Sequence, residues 1–533
     1  RMWAGRWREK TWQWLEQASA SLEKRIQGGG QELFPFLEKM EKYLLRPGEK
    51  ELFRVEPVRR ITLWSLAVAV WSALRRLTPL QEAETRARLS VNLGYALSAL
   101  GRREEALLAT QEAVGIYRQL AQENPQAFLP YLIGSLNNLG AMLSALGRRE
   151  EALLATQEAV GIYRQLAQEN PQAFLPDLAM SLNNLGLDLS ALGRREEALL
   201  ATQEAVGIYR QLAQENPQAF LPDLAMSLNN LGLDLSALGR REEALLATQE
   251  AVGIYRQLAQ ENLQAFLSDL AASLNNLGAM LSALGRRDEA LLATQEAVEI
   301  YRQLAQENPQ AFLPDLAMSL NNLGLDLSAL GRREEALLAT QEAVGIYRQL
   351  AQENPQAFLP GLAMSLNNLG VRLSALGRRD EALLATQEAV EIYRQLAQEN
   401  PQAFLPDLAA SLNNLGNRFS ELGRRDEALL ATQEAVGIYR QLAQENPQAF
   451  LPDLAMSLGA HGSVLRGLGR YTEAAQAFAE GLRAILPFVR ALPAAFGELT
   501  SALLEDYLQA CEEAKQEPDW GLVEEVRRLL GAD

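Results

Sequence analysis

Most of this sequence consists of one unit that is repeated at a fixed period. From Leu89 to Met456, eight copies of 46 residues follow one another without an insertion, and the copy Ser181–Met226 returns almost unchanged in the five repeats after it. A unit of this size cannot bury its own apolar face, so neighbouring repeats must stack and share one elongated core. The period therefore predicts a solenoid, and the residue patterns within each repeat predict that it is all-α.

The repeats divide the chain into three parts. Residues 1–88 do not repeat, and we expect a helical N-terminal cap or linker there. Residues 89–456 hold the eight repeats, and residues 457–533 hold a decaying ninth repeat followed by a C-terminal helical cap. The chain does not begin with Met, so we expect it to be part of a longer protein.

Both ends of a solenoid need a cap that covers the last apolar face. The apolar run Ile61–Leu77 predicts a buried helix ahead of the repeats. Trp3, Trp7 and Trp14 share one helical face, which either caps the first repeat or docks against a preceding domain. At the other end, Trp520 is expected to act as a lid.

Charge and composition exclude several classes of function. The formal net charge is −17, whereas nucleic acids and anionic membranes need a basic surface, so we expect neither as a partner. Cys511 and His461 are the only cysteine and histidine of the sequence. They are too few for a disulfide framework within the chain, for a structural zinc site or for His-based catalysis. The lack of disulfide partners also indicates a reducing cytoplasm. No glycine-rich phosphate motif is present. We therefore predict a cytoplasmic protein that is not an enzyme and holds no metal or cofactor.

Each repeat predicts two helices. Helix A is expected over Pro176–Leu192, because its leucines recur at the spacing of an amphipathic helix and Gly193 can end it. Helix B is expected from about Arg195 to Glu215, with Asn216-Pro217 as its stop. Phe220-Leu221 should then fill the joint before the next helix A begins at Pro222.

These residues resemble the tetratricopeptide repeat. The resemblance rests on the pattern Leu182, Leu185-Gly186, Leu189, Gly193, Ala198 and Ala205. The LNNLG opening and the long period resemble the kinesin-light-chain subclass, and long near-identical arrays resemble the sensor regions of bacterial signal-transducing ATPases related to plant immune receptors (STAND or NLR-like proteins). The resemblance implies a right-handed superhelix in which helix A lines a concave, ligand-binding groove.

The copies can be compared with one another, and helix A carries most of their differences. On a helical wheel the variable positions lie together on the side opposite the leucines, so we predict that they form one outward-facing surface. Exposed residues of helix B, such as Gln203 and Arg210, do not vary, which favours selection over drift or recombination, the alternative. The predicted ligand-binding residues are Tyr95, Met142, Met180, Leu187, Asp188, Met226, Leu233, Asp234, Met280, Met318, Leu325, Asp326, Met364, Val371, Arg372, Asn417 and Arg418.

One constant residue of helix A forms a second candidate site. An Asn amide has two donors and one acceptor, and it can hold a peptide backbone without reading side chains. The alternative is that each Asn ties helix A to a neighbouring helix B. This predicted Asn ladder consists of Asn92, Asn138, Asn184, Asn230, Asn276, Asn322, Asn368 and Asn414.

The pattern as a whole predicts a binding module for a peptide or protein, with an acidic and apolar middle and a basic C-terminal stretch. The resemblance adds that the chain is the sensor or scaffold region of a larger bacterial signalling or defence protein. A homo-oligomerising scaffold that pairs through its Met and Leu rows is the alternative. A man-made consensus array is a third possibility, and the irregular ends argue against it.

Overall fold

The computed structural model describes residues 57–79 and 81–531, and all regular structure in these ranges is α-helical, without a β-strand. The first helices are α1 (Pro57–Leu77), α2 (Ala83–Ala99), α3 (Arg103–Glu123), α4 (Pro125–Ala145), α5 (Arg149–Glu169), α6 (Pro171–Ala191), α7 (Arg195–Glu215), α8 (Pro217–Ala237), α9 (Arg241–Glu261), α10 (Leu263–Ala283) and α11 (Arg287–Glu307). The others are α12 (Pro309–Ala329), α13 (Arg333–Glu353), α14 (Pro355–Ala375), α15 (Arg379–Glu399), α16 (Pro401–Glu421), α17 (Arg425–Glu445), α18 (Pro447–Gly467), α19 (Tyr471–Ala491), α20 (Pro493–Ala514) and α21 (Trp520–Leu530). The prediction of an all-α array of helix pairs is confirmed.

The even-numbered helices α2–α18 are the predicted helices A, and the odd-numbered helices α3–α19 are the helices B. Helix B ends at Glu215 as predicted, but the next helix A begins at Pro217 rather than Pro222. The Asn216 side chain accepts a hydrogen bond from the Ala219 backbone N–H (3.3 Å), and Pro217 takes the first helical position, where a missing N–H costs nothing. The Asn-Pro pair thus ends one helix and starts the next, so Phe220 lies inside helix A and not in a joint.

The turn from helix A to helix B follows the predicted glycine cap. Gly193 has φ of +76°, a left-handed conformation that favours glycine. The Gly193 N–H donates to the Ser190 carbonyl (3.0 Å) and the Arg194 N–H donates to the Leu189 carbonyl (2.9 Å), which is the Schellman pattern. The same turn recurs in each repeat and fixes the angle at which helix B leaves helix A.

Contacts divide the chain into two compact units, Arg1–Ser181 and Leu182–Asp533. In the first, α1 packs on α2 and buries Val70 and Leu74 against Leu89, which confirms the predicted buried helix. Arg75 of α1 and Arg86 of α2 both pair with Glu112 of α3 (2.9 and 2.7 Å). Trp3, Trp7 and Trp14 lie outside the described residues.

In the second compact unit, successive helices A pack directly on one another, and helices B form a second, more widely spaced layer. The core between the layers contains Leu228 and Leu235 of α8 with Ala244 and Tyr255 of α9. The Tyr255 hydroxyl donates to the Pro222 carbonyl (3.2 Å) and links helix B to its own helix A.

The second compact unit also curves back on itself. The guanidinium of Arg195, at the start of α7, lies 5.3 Å from the centroid of the Phe496 ring in α20. The Gly193 turn lies against the start of α18: a Cβ added at Gly193 would be 2.8 Å from the Gln448 carbonyl oxygen. Residues about 250 to 300 positions apart in the sequence are therefore neighbours within this unit.

The last two helices pack on α19, but Trp520 is not the predicted lid. Trp520 is 51% exposed, and its indole N–H donates to Glu517 (3.1 Å). The buried face of α21 consists of Leu522, Val523 and Val526, whose helical spacing leaves Trp520 beside that face. None of the described helices is both long and apolar enough to cross a bilayer.

Candidate functional site

The variable positions of helix A fall into two classes, and the first is exposed as predicted. We call it the Met/Leu row: one Met and, seven residues later, one Leu or Val on each of α6, α8, α12 and α14. Met226 is 40% exposed and Leu233 is 44% exposed on α8, and α12 repeats this with Met318 and Leu325. The exposed members of the predicted site are Tyr95, Met180, Leu187, Met226, Leu233, Met318, Leu325, Met364, Val371 and Asn417.

The second class is buried, which corrects the prediction that all variable positions face outward. Asp234, Met280, Asp326, Arg372 and Arg418 are at most 8% exposed, and Asp188 and Met142 are half-buried. A wheel shows only which side of helix A faces its own helix B, whereas in a stack the preceding repeat covers a second flank.

Buried aspartates at this interface bond to the preceding helix B. The Thr202 hydroxyl of α7 donates to Asp234 of α8 (2.5 Å), and the Thr294 hydroxyl of α11 donates to Asp326 of α12 (2.6 Å). Burial raises the pKa of each carboxyl group, and the hydrogen bonds offset part of that increase. These carboxylates join repeats, so they are not available to a ligand. The prediction that Asp234 and Asp326 face outward is therefore wrong.

The two arginines of the predicted basic stretch are buried as well. Arg418 pairs with Glu421 (3.1 Å) and donates to the Gly370 carbonyl (3.4 Å). Glu421 stands where the other repeats have Ala, and it also accepts from the Ser374 hydroxyl (2.6 Å). Arg372 lies at the same place one repeat earlier, and burial lowers its pKa. The basic stretch is part of the packing between repeats, and its prediction as a binding surface is wrong.

The two asparagines of each SLNN segment have different roles. The first Asn donates to the serine hydroxyl of the next helix A, as Asn275 does to Ser319 (2.6 Å) and Asn321 to Ser365 (2.7 Å). The second Asn, which forms the predicted Asn ladder, is half-buried or exposed, and within the described chain no hydrogen bond engages it. The ladder therefore does not tie helix A to helix B, and it shares a face with the Met/Leu row: Met226, Asn230 and Leu233 have the i, i+4, i+7 spacing of one stripe.

Sequence reasoning missed two features. One is the bond between the first Asn and the next serine, although both residues recur without exception from Asn183 to Ser411. The other is a leucine of helix B in every repeat that is 65–67% exposed. Since Leu199 and Leu200 are consecutive on a helix, they cannot both face the core, and that signal was available. We call these residues the helix B leucine row; its members are Leu108, Leu154, Leu200, Leu246, Leu292, Leu338, Leu384 and Leu430.

Ion pairs cross the helix B layer from repeat to repeat. Arg256 of α9 pairs with Glu296 of α11, and Arg302 pairs with Glu342 of α13, both at 2.7 Å. Both partners are about half exposed, so each pair adds little stability. Across the described residues no group of three His, Cys, Asp or Glu side chains is placed to hold a metal ion.

The chain matches one family model repeatedly. Residues 132–172, 178–218, 224–262, 270–310, 316–356, 362–402 and 408–448 match the family described as tetratricopeptide repeat, and these matches cover more than half of the chain. Residues 83–139 match the family described as anaphase-promoting complex subunit 5. No curated protein matches the chain.

Several solved structures are similar over part of the chain. BtubC (BKLC) from P. vanneervenii is 22% identical, with 46% of this chain and 92% of that chain covered and a TM-score of 0.38. A putative kinesin light chain from Podosopora anserina with nearly identical TPR-like repeats is 22% identical, with coverage of 42% and 98% and a TM-score of 0.33. A Rap protein complexed with competence and sporulation factor is 15% identical, with coverage of 72% and 99% and a TM-score of 0.43. At these TM-scores, nothing further about this chain follows.

Proposed function

Because the chain belongs to the tetratricopeptide repeat family, we propose that its helices A bind an extended peptide or protein segment along the Met/Leu row and the Asn ladder. The observation that carries the proposal is the stripe of Met226, Asn230 and Leu233, which recurs on α12 and α14. It combines exposed apolar side chains with amides that no other part of the described chain engages.

The chemistry of this stripe indicates what it would bind. Met side chains are flexible and adapt to irregular apolar partners. An Asn amide can donate to a backbone carbonyl and accept from a backbone N–H of the same ligand. Since the Asp or Arg that directly follows the stripe on α8, α12 and α14 is buried, we expect a ligand with regularly spaced apolar side chains and little dependence on charge at those positions.

The test compares the same substitution on the two layers of the same repeats. Peptides are selected from a random display library on the full chain, and their Kd is measured for the Leu233→Asp/Leu325→Asp variant. We expect binding to weaken by about tenfold or more, since a charge in an apolar contact removes hot-spot energy. All substituted leucines are exposed, so the melting temperature should barely change.

The matched control is Leu246→Asp/Leu338→Asp in the helix B leucine row. This control should bind the selected peptides as the unmodified chain does. Equal weakening in both variants, or unfolding of the first, would contradict the proposal.

Homo-oligomerisation is the second candidate, and the exposed Met/Leu row favours it too. A self-associating array would form dimers whose fraction rises with concentration, and Leu233→Asp/Leu325→Asp would dissociate them. Light scattering over a concentration series measures this. A monomer at every concentration argues against self-association and leaves the peptide-binding proposal in place.

On the resemblance of its long near-identical array, we further propose that the chain is the sensor or scaffold region of a larger cytoplasmic signalling or defence protein of a bacterium. The expected result is that the full chain captures a partner from phage-infected cells and not from uninfected cells. The same captured proteins from both, or capture unaffected by Leu233→Asp/Leu325→Asp, would speak against a sensor role for the Met/Leu row.

A further inference from the structure

A groove opens in the helix B layer between α15 and α17, with α16 as its floor. Its volume is about 300 Å³, at the lower end of ligand-binding cavities, so it has room for one or two side chains. Its floor is apolar and buried: Val390, Leu412, Leu415, Phe419 and Ala431. Leu430 of the helix B leucine row stands at its edge and is 67% exposed.

Two features distinguish this part of the array from the other repeats. Phe419 stands where the equivalent helices A have Leu, and its ring lies under the Arg424 guanidinium, 4.7 Å from the centroid. The neighbouring Leu429 is only half-buried, whereas its counterparts Leu291 and Leu337 are buried. The larger ring thus coincides with a core leucine that has moved partly out of the core.

The rim of the groove carries one carboxylate that is not neutralised. Glu434 pairs with Arg394 (2.7 Å), and Glu427 pairs with Arg424. Glu391 is exposed, and among the described residues it has no ion-pair partner. In most repeats the same position is Gly, and Glu299 and Glu391 are the two acids found there.

We infer that this groove is a second binding site, separate from the Met/Leu row, for a protein segment in which a large apolar side chain is flanked by Lys or Arg. The apolar side chain would enter beside Leu430, onto the floor at Phe419, and remove the exposed surface of Leu430 from water, which is favourable in proportion to the area buried. The flanking cation would lie against Glu391. The net charge of −17 attracts a basic partner and repels a second copy of this chain, so the occupant is not the array itself.

The array provides a matched control two repeats earlier. The equivalent groove between α11 and α13 has the same rim acid, Glu299, and the same exposed leucine, Leu338, but it has Leu327 in place of Phe419. Variants at Glu299 and Leu338 therefore change the charge and the apolar surface by the same amounts without touching the proposed site.

The experiment uses the full chain and a fluorescein-labelled peptide of alternating leucine and arginine, with binding followed by fluorescence anisotropy. A peptide of alternating leucine and glutamate is the control probe. We expect Glu391→Gln to weaken binding of the basic peptide by about three- to tenfold and Leu430→Ser by about tenfold or more. Glu299→Gln, Leu338→Ser and Leu233→Asp/Leu325→Asp should leave its Kd unchanged.

Three results would overturn the inference. One is that the basic peptide does not bind at concentrations up to about 1 mM, which corresponds to roughly −4 kcal/mol. Another is that Glu299→Gln weakens binding as much as Glu391→Gln, which would mean attraction to the acidic surface as a whole. The third is equal binding of the acidic peptide. None of these bears on the Met/Leu row, whose own variants lie on helix A.

Discussion

The buried hydrogen bond between Thr294 and Asp326 joins two repeats, and its contribution to the free energy of unfolding can be measured. The Thr294 hydroxyl lies 2.6 Å from the Asp326 carboxylate, and both residues are at most 4% exposed. Thr294→Val keeps the shape of the side chain and removes the donor. We expect it to cost about 1.5–3 kcal/mol at neutral pH, the range for a hydrogen bond to a charged group.

The pH dependence of this cost follows from the carboxyl group. Burial raises the pKa of Asp326, and the bonds from Thr294 and Ser282 lower it, with burial the larger effect. An acid whose pKa is raised by folding contributes stability below its unfolded pKa, and that contribution is lost as the pH rises through the folded pKa. Thr294→Val removes a bond to the ionised form and raises the pKa of Asp326 further. Its cost should therefore shrink as the pH falls from 7 towards about 4, near the unfolded pKa of Asp.

The assay is urea unfolding followed by circular dichroism at both pH values, in a double-mutant cycle with Asp326→Met. Met280 occupies the same buried position one repeat earlier, so a methionine fits there. Replacing a buried charge by an apolar residue should be neutral or stabilising. In that background Thr294→Val should cost clearly less, about 1 kcal/mol or below, because the carboxylate acceptor is gone and only the Ala290 carbonyl (3.0 Å) still accepts from the Thr294 hydroxyl.

Thr248→Val is the natural control, since Thr248 faces the repeat with Met280 and its hydroxyl bonds only to the Ala244 carbonyl (2.9 Å). It should cost clearly less than Thr294→Val at pH 7, and its cost should not depend on pH. If Thr294→Val cost the same with and without Asp326, or cost more in acid, the interface bond would not have the role that its geometry indicates.

Four further substitutions test other parts of the array by thermal and urea unfolding. Ser319→Ala should cost about 1–3 kcal/mol, because it leaves the buried Asn275 amide without its acceptor. Gly285→Ala should lower the free energy of unfolding by about 1 kcal/mol, because Gly285 has a φ of +74°, which disfavours alanine. Gly345→Ala should raise it by up to about 1 kcal/mol, because a Cβ there meets no other atom and alanine favours the helix. Arg302→Ala should lower the free energy of unfolding by less than about 1 kcal/mol, and roughly 1 M salt should abolish this difference between variant and unmodified chain. A larger loss that does not depend on salt would show that the ion pair contributes more than its exposure suggests.

The period and the leucine spacing predicted the fold because they describe contacts inside one repeat. Leu228 and Leu235 face their own helix B whatever the neighbours do, so a helical wheel places them correctly. The sequence predicts that Asn216 and Pro217 end helix B, and the structure shows that the same two residues also start the next helix A. That second role depends on a hydrogen bond to Ala219, which the sequence pattern allows but does not require.

The candidate site was harder to predict because it depends on the stacking of repeats. Leu233 and Asp234 are adjacent on helix A, both vary between copies, and the wheel places both away from the leucine stripe. Only the preceding repeat, with Thr202, decides that one is exposed and the other buried. Likewise, the two asparagines of SLNN are adjacent in the sequence. Only the position of the serine in the following repeat shows that the first of them forms the hydrogen bond between repeats.

The exposed variable residue of helix A and the residue that directly follows it vary together between repeats, and this indicates why the copies differ. Leu at the exposed position is followed by Asp at the buried one in three repeats, and Ala is followed by Met in two, as in Ala279 and Met280. If exposed residues had been exchanged one at a time for ligand contact, they would not be tied to a neighbour that no ligand reaches. The pairs are better explained by duplication of whole repeats, each carrying its own interface chemistry. Duplication then changes the exposed row and the packing together, and Arg418 with its added partner Glu421 shows how the packing was compensated.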